Sequence, residues 1–307
     1  MAMLSVVTSV YRTAQFLEAF TSRVDAAARA CGLIDYEMIF VVDGSPDDAI
    51  AVLRQLKSRY AAIRAIELSR NFGHHPALWC GLEQARGDLI FLADSDLETP
   101  PEILIDLHAA LADGDVDVAF GCQRERKGTW IRRATSRAFW WLFATLAEVR
   151  IHPDPLTERL MRRSYVDALL AMNERTLFLA GMMAWVGFRQ TPVPVDRTLR
   201  AGPPSYSWLR RAALAFDAIT SFSVAPMRAL FLAGAGLAAL AMLGALLLVG
   251  LKLSDPGFIV QGFTALAVLL LFSLGSILAA LGVVGLYLGR VFLQTKNRPL
   301  YVIRREI

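Results

Sequence analysis

Apolar residues in the first 120 positions fall into short β-branched runs separated by stretches with helical spacing. The runs at 4–10, 38–42, 63–68, 89–93 and 116–121 predict buried strands. Between them, 15–31, 49–60, 76–85 and 101–112 predict helices. Strands alternating with helices imply βαβ units in a mostly parallel sheet covered on both faces, a Rossmann-like α/β architecture. Ligands of such sheets sit beyond the C-terminal ends of the strands. That rule selects residues 11–12, 43–45, 69–75, 94–98 and 122–126 before any motif is considered.

The pattern changes after residue 228. Residues 229–251 and 259–289 contain no Asp, Glu, Lys or Arg. An uncharged run of about 18 or more residues is long enough to cross a bilayer as a helix. The chain therefore divides into a domain at 1–200, a juxtamembrane loop and interface helix at 201–228, two spans within 229–289 and a tail at 290–307. Aromatic residues interleaved with Arg132, Arg133 and Arg137 at 128–148 suit either a membrane interface or a helix packed on the sheet. Gly234, Gly236, Gly244, Gly275, Gly282 and Gly285 permit close helix packing, within the hairpin or between copies of the chain, which leaves a homo-oligomer open.

Composition agrees: 55% of residues are hydrophobic and 20% charged, too apolar for an ordinary soluble enzyme and far from a disordered chain. The net charge of +4 changes the picture only through its location. Arg197, Arg200, Arg210, Arg211 and Arg228 precede the first apolar run, and Arg290, Lys296, Arg298, Arg304 and Arg305 follow the second. The positive-inside rule then places both flanks, and both termini, on the cytoplasmic side of the cell inner membrane. The charge speaks for anionic lipid headgroups and against nucleic acid, since no basic-aromatic module accompanies it. Cys31, Cys80 and Cys122 form no CxxC pair and read as reduced cytosolic thiols. No charged start followed by a long apolar run precedes the first strand, so the N-terminus reads as a strand and not as a signal peptide.

The sharpest chemical feature is Asp94-Ser95-Asp96-Leu97-Glu98, which follows an apolar strand and stops at Pro100-Pro101. Two carboxylates so placed can converge on one hard divalent cation, Mg2+ or Mn2+, with a diphosphate completing its shell. A solvated acidic turn is the bland alternative. Asp43 ends another strand at the same edge, where it could accept a nucleobase or ribose hydrogen bond or simply cap a turn. His74 and His75 are adjacent and lack the spacing to chelate one ion, so a phosphate-facing or packed role fits better. Arg124, Arg126, Lys127, Arg132 and Arg133 make a basic cluster suited to a phosphate clamp or to a solvated surface.

The stretch LSRNFGHHPALWCGLEQARGDLIFLADSDLETPPE resembles the core of the family 2 glycosyltransferases that move a sugar onto a polyprenyl phosphate. VVDGSPDD resembles their VDDGSxD turn, and GCQRERKGTWIRRATS their segment with a clamping Arg and a later Arg-x-x-x-Ser. LRAGPPSYSW resembles their R-x-G-x-SKY loop, and GLYLGR followed by RPLY their ending after the second span. The resemblance implies a GT-A fold, a divalent metal on Asp94, Asp96 and Glu98, and a nucleotide sugar on Asp43, Asn71, His74, Asp94 and Arg200. It also implies an acceptor phosphate on Arg124, Arg132 and Ser136, with Asp96 and Arg124 closest to the chemistry. Departures from the pattern are Val42 for the first Asp of the turn, Glu98 for Gln, Thr157 for an Asp sometimes proposed as base, Ser205 for Lys and Leu286 for Glu. They motivate a rival reading as a catalytically degenerate scaffold. A processive polysaccharide synthase is a second rival, opposed by the absence of a QxxRW motif and by only two spans.

Overall fold

The computed structural model describes residues 2–112, 115–123, 152, 155–175, 177–195, 225–254 and 262–307. Strands β1 (Leu4–Val10), β2 (Tyr36–Val42), β3 (Ile63–Leu68) and β4 (Leu89–Leu92) alternate with helices α1 (Leu17–Ala30), α2 (Ala49–Arg59) and α3 (His74–Gln84). Then follow α4 (Ile103–Ala112), β5 (Val118–Gln123), β6 (Pro155–Arg162), α5 (Arg163–Leu170), α6 (Leu179–Trp185) and β7 (Gln190–Val195). Two long helices, α7 (Ala225–Ser254) and α8 (Phe263–Thr295), precede a final strand, β8 (Ile303–Glu306).

The strands form one sheet in the order β7-β5-β6-β4-β1-β2-β3-β8. Its centre, β4-β1-β2-β3, is parallel throughout. Alternate strand residues go to opposite sides, as the pleat requires. Leu4, Val6, Met38, Phe40 and Phe91 pack against α1, α2 and α4, while Val7, Ile39, Val41, Ile90 and Leu92 pack against α3, α5 and α6. Both faces are thus covered, which is why these strands read as continuous apolar runs.

Three strands escaped the sequence pattern. β6 inserts between β4 and β5, antiparallel to both, and buries Glu158 and Arg159. β7 carries Pro192 and Pro194 and forms one sheet edge, where a missing N–H donor is tolerated. At the other edge, β8 pairs antiparallel with β3, so the residues expected to be a tail complete the sheet.

Glu67 of β3 meets Arg304 and Arg305, and Arg64 meets Glu306. Near the end of α8, Gln294 donates to the Asn173 carbonyl and Asn297 accepts from Arg175. The hairpin is therefore fastened to the domain at two places. Helices α7 and α8 contain the windows Met227–Gly244 and Phe272–Thr295, each long and apolar enough to cross a membrane.

Below the sheet, Glu37 accepts from Ser5 Oγ at 2.7 Å, Arg64 Nη1 at 2.8 Å and the Arg86 amide at 2.8 Å. Burial pushes this carboxyl's pKa up, but the three donors together outweigh it and hold it below the usual glutamate range. A carboxyl held low stabilises the fold above its unfolded pKa, and that stability is lost as pH falls through the folded value. Glu37→Gln is expected to cost about 1–3 kcal/mol at neutral pH. It should also flatten the acid limb of stability against pH, measured by thermal unfolding between neutral and acid pH.

Candidate functional site

The C-terminal ends of β1, β2 and β4 and the loop after β3 meet at one edge of the sheet. Asp43, which ends β2 and is 2% exposed, fixes this meeting. Its Oδ1 accepts the Phe72 N–H at 2.6 Å and its Oδ2 the Gly73 N–H at 2.8 Å. Burial raises the carboxyl's pKa, and the two amide donors oppose that shift. Both oxygens therefore staple the β3–α3 loop.

Gly44 follows from the same closeness. It has φ +57°, and a Cβ on it would lie 2.4 Å from the Asn71 nitrogen. A side chain there is excluded both by conformation and by space.

The β2–α2 turn ties to the end of β1 through Ser45 Oγ, which accepts the Arg12 N–H at 2.8 Å, and Asp47, which accepts the Ala14 N–H at 2.9 Å. Ser95, the residue between the paired aspartates, is 2% exposed and donates to the Ser9 carbonyl at 2.9 Å. Its hydroxyl has only one proton, so Thr13 Oγ1, also at 2.9 Å, is the donor of that second bond. Ser95 is turned inward by these bonds, while Asp94 and Asp96 remain partly exposed. Asp96 Oδ1 accepts the Glu98 N–H at 3.0 Å, bridging Leu97, whose φ is +59°. A left-handed leucine is a strained conformation kept by its surroundings.

His74 stands at the first turn of α3. Its Nδ1 is 2.8 Å from Ser9 Oγ and its Nε2 3.5 Å from Asp94 Oδ1. Packing lowers its pKa, while Asp96 and Asp43 push it upward; the net shift is downward, which favours the neutral ring at neutral pH. His75 turns away and engages the Leu177 carbonyl at 3.1 Å.

The structure thus gathers Asp43, Asn71, His74, Asp94, Asp96 and Glu98 at one edge, as the sequence predicts. Among the described residues, no three His, Cys, Asp or Glu side chains converge as a preformed metal cage. The donor set still fits a hard cation, because Mg2+ or Mn2+ at a nucleotide site commonly uses one or two carboxylates with phosphate and water oxygens. Arg124, Arg132, Ser136 and Arg200 lie outside the described residues. The sequence reading passed over the Ser9–Thr13–Ser95 hydroxyl chain, whose only signal is a polar residue at the end of each apolar run. It also passed over Arg159, a charged residue inside a strand.

A doubly wound sheet with paired aspartates just past a central strand defines a glycosyltransferase of GT-A type. The chain belongs to glycosyl transferase family 2, whose family model matches residues 5–175. It is 37% identical over 272 residues to an uncharacterized glycosyltransferase of Synechocystis, covering 88% of this chain and 85% of that one. It is 34% identical over 309 residues to the undecaprenyl-phosphate 4-deoxy-4-formamido-L-arabinose transferase of Pseudomonas paraeruginosa, covering 99% and 90%. A mannosyltransferase of Pyrobaculum calidifontis, solved in complex with GDP-Man and Mn2+, shares the fold. It has a TM-score of 0.52 and 17% identity, covering 97% of this chain and 85% of that one.

Asp43→Asn puts an NH2 group against one of two backbone N–H donors. The expected cost is about 1–3 kcal/mol, read as a lower unfolding midpoint. Faster hydrogen exchange at the Phe72 and Gly73 amides should accompany it. Asp48→Asn, at an exposed position of the same turn, should change neither.

Proposed function

We propose that this enzyme transfers one sugar from a nucleotide sugar to a polyprenyl phosphate, undecaprenyl phosphate in a bacterial membrane, with inversion at the anomeric carbon. The observation that carries this reading is that likeness to an undecaprenyl-phosphate sugar transferase spans the whole chain, both apolar helices included. α7 and α8 cross the inner membrane and return the chain to the side it left. The pairing of β8 with β3 supports a C-terminus on the same side as the domain, and the basic flanks support the cytoplasmic side for both.

Asp94 and Asp96 hold a divalent cation together with the donor diphosphate; bound there, it neutralises charge on the departing nucleoside diphosphate. The Mn2+ and GDP-Man in the Pyrobaculum structure support the metal and the donor class. A phosphate monoester has a second pKa near about 6, so the acceptor already arrives largely as an oxyanion. Its oxygen attacks the anomeric carbon as the bond to the diphosphate breaks, and no proton has to be removed. That accounts for Thr157 at the position of a family Asp. The protein's work is to position two anions and offset their charge, using the arginines and the cation that Asp94 and Asp96 would hold. Arg124, Arg132 and Ser136 hold the acceptor phosphate, and Arg200 closes over the donor.

Asp94→Asn and Asp96→Asn should each lower lipid-linked sugar formation by about 100-fold or more. The assay incubates membranes with labelled nucleotide sugars and undecaprenyl phosphate and identifies the lipid product by mass. Full activity in either variant, or in EDTA, would remove the metal assignment.

Arg132 and Ser136 are four apart in the sequence, the spacing that a helix would bring to one face, and Arg133 is out of step with both. Arg132→Ala should depress turnover with lipid acceptor far more than donor binding, and Arg133→Ala should be mild. Equal small effects would shift the acceptor phosphate to Arg124.

A further inference from the structure

Behind His74 the domain is hollow. A cavity of about 190 Å³ opens between His74, His75 and Leu78 of α3, Leu92 of β4, Thr157 of β6 and the start of α6. A wider cavity of about 400 Å³ adjoins it, with Phe120, Pro155, Ala184, Phe188 and Pro192 among its walls. Pro155, Arg159 and Ala180 line both, so the two communicate beside the Arg159 guanidinium.

Arg159 is 5% exposed. Its Nη2 donates to the Leu156 carbonyl at 3.0 Å, its Nε reaches the Thr157 carbonyl only at 3.4 Å, and its plane lies 5.9 Å from the Phe120 ring centre. Tyr165 offsets its charge through a hydrogen bond and through space, and Glu158 through space, but among the described residues no carboxylate forms an ion pair with it. A guanidinium has five N–H donors and stays protonated even when buried. Removed from water with so few strong acceptors, it is poised for an anion.

We propose that Arg159 is a contact for the acceptor's oxyanion. The phosphate monoester occupies the narrower cavity between His74, Thr157 and Arg159, and the first isoprene unit occupies the wider one, against Phe120, Ala184, Phe188 and Pro192. The inference rests on the acceptor being a polyprenyl phosphate. Three features point to this occupant. The narrower cavity shares His74 with the Asp94 site, which places its contents next to the donor. Along the groove come a carboxylate pair, a cation and apolar walls, the same order as metal-bound leaving group, phosphate and isoprenoid in the reaction. Helix α6 walls both cavities, and the loop leading into it is held by Gln294 and Asn297 at the end of α8.

The test uses the full chain in nanodiscs, titrated by calorimetry with farnesyl phosphate, farnesol and inorganic phosphate. Wild type should bind farnesyl phosphate more tightly than either of the others. Arg159→Gln should weaken it by about 10-fold or more, and Arg159→Lys should recover part of the loss. Because Arg159→Gln can also impair folding, Ala180→Leu narrows the junction while leaving the guanidinium in place. It should weaken farnesyl phosphate as well, with the unfolding midpoint kept. Wild-type affinity for farnesyl phosphate in both Arg159→Gln and Ala180→Leu would overturn the inference. If Arg132→Ala then abolished binding, the acceptor reading would stand with its phosphate elsewhere. Inorganic phosphate binding as tightly as farnesyl phosphate would assign the site to a free anion and overturn the lipid. No binding of farnesyl phosphate to wild type would overturn this inference and the acceptor reading together.

Discussion

The buried carboxylate of Asp43 carries the organisation of the site. A parallel sheet ends in loops whose backbone N–H groups have lost their strand partners, and each such group left buried costs stability. Asp43 accepts two of them, from Phe72 and Gly73, at the point where α3 begins. The β2 and β3 loops are thereby drawn so close that only glycine fits at position 44. The first turn of α3 is fixed, and with it His74, whose two nitrogens face Ser9 and Asp94. The Ser95 hydroxyl performs the same service between β1 and β4. A recognisable pair of aspartates is useful only because these less conspicuous bonds hold the strand ends in register.

How much of this was legible follows from where the physics is local. β1 and β3 occupy the residues their mostly apolar runs mark, because a strand covered on both faces buries most of its side chains, even though β3 carries Arg64 and Glu67. β6 was not legible, since its centre is Thr157-Glu158-Arg159, and only the tertiary surroundings make those residues strand and core. Edge strands hide differently: prolines in β7 and charges in β8 guard exposed edges against foreign pairing, and so mask the strand signal. In the site, Asp94 and Asp96 could be read because a motif and a strand end coincide. The role of Asp43 could not, because its partners lie 29 and 30 residues further along the chain.

β8 also changes what the hairpin is for. A membrane anchor alone needs no return to the sheet, yet the chain after α8 pairs with β3 and sends Tyr301 to Glu83 on α3. β3 leads directly into the loop that Asp43 staples, and the Ser69 amide at its end bonds to the Val302 carbonyl at 2.9 Å. The hairpin and the donor-side loop therefore share a rigid element. Under the proposed function, an acceptor confined to a bilayer must meet a donor arriving from water, and this attachment would fix the height of the site above the lipid.

Chemistry explains which departures from the family pattern such a frame can absorb. A transferase acting on an alcohol depends on a base placed to within a fraction of an ångström, because proton removal is part of the barrier. One acting on a phosphate monoester starts from an anion, and its barrier is set by holding two negative groups together. Under the proposed function, threonine at position 157 then costs little, whereas loss of a carboxylate at 94 or 96 weakens the hold on the cation that would offset the diphosphate's charge. The burial of Arg159 fits the same logic. At the acceptor site proposed for it, a cation kept dry is most useful when the groups to be held are both anions.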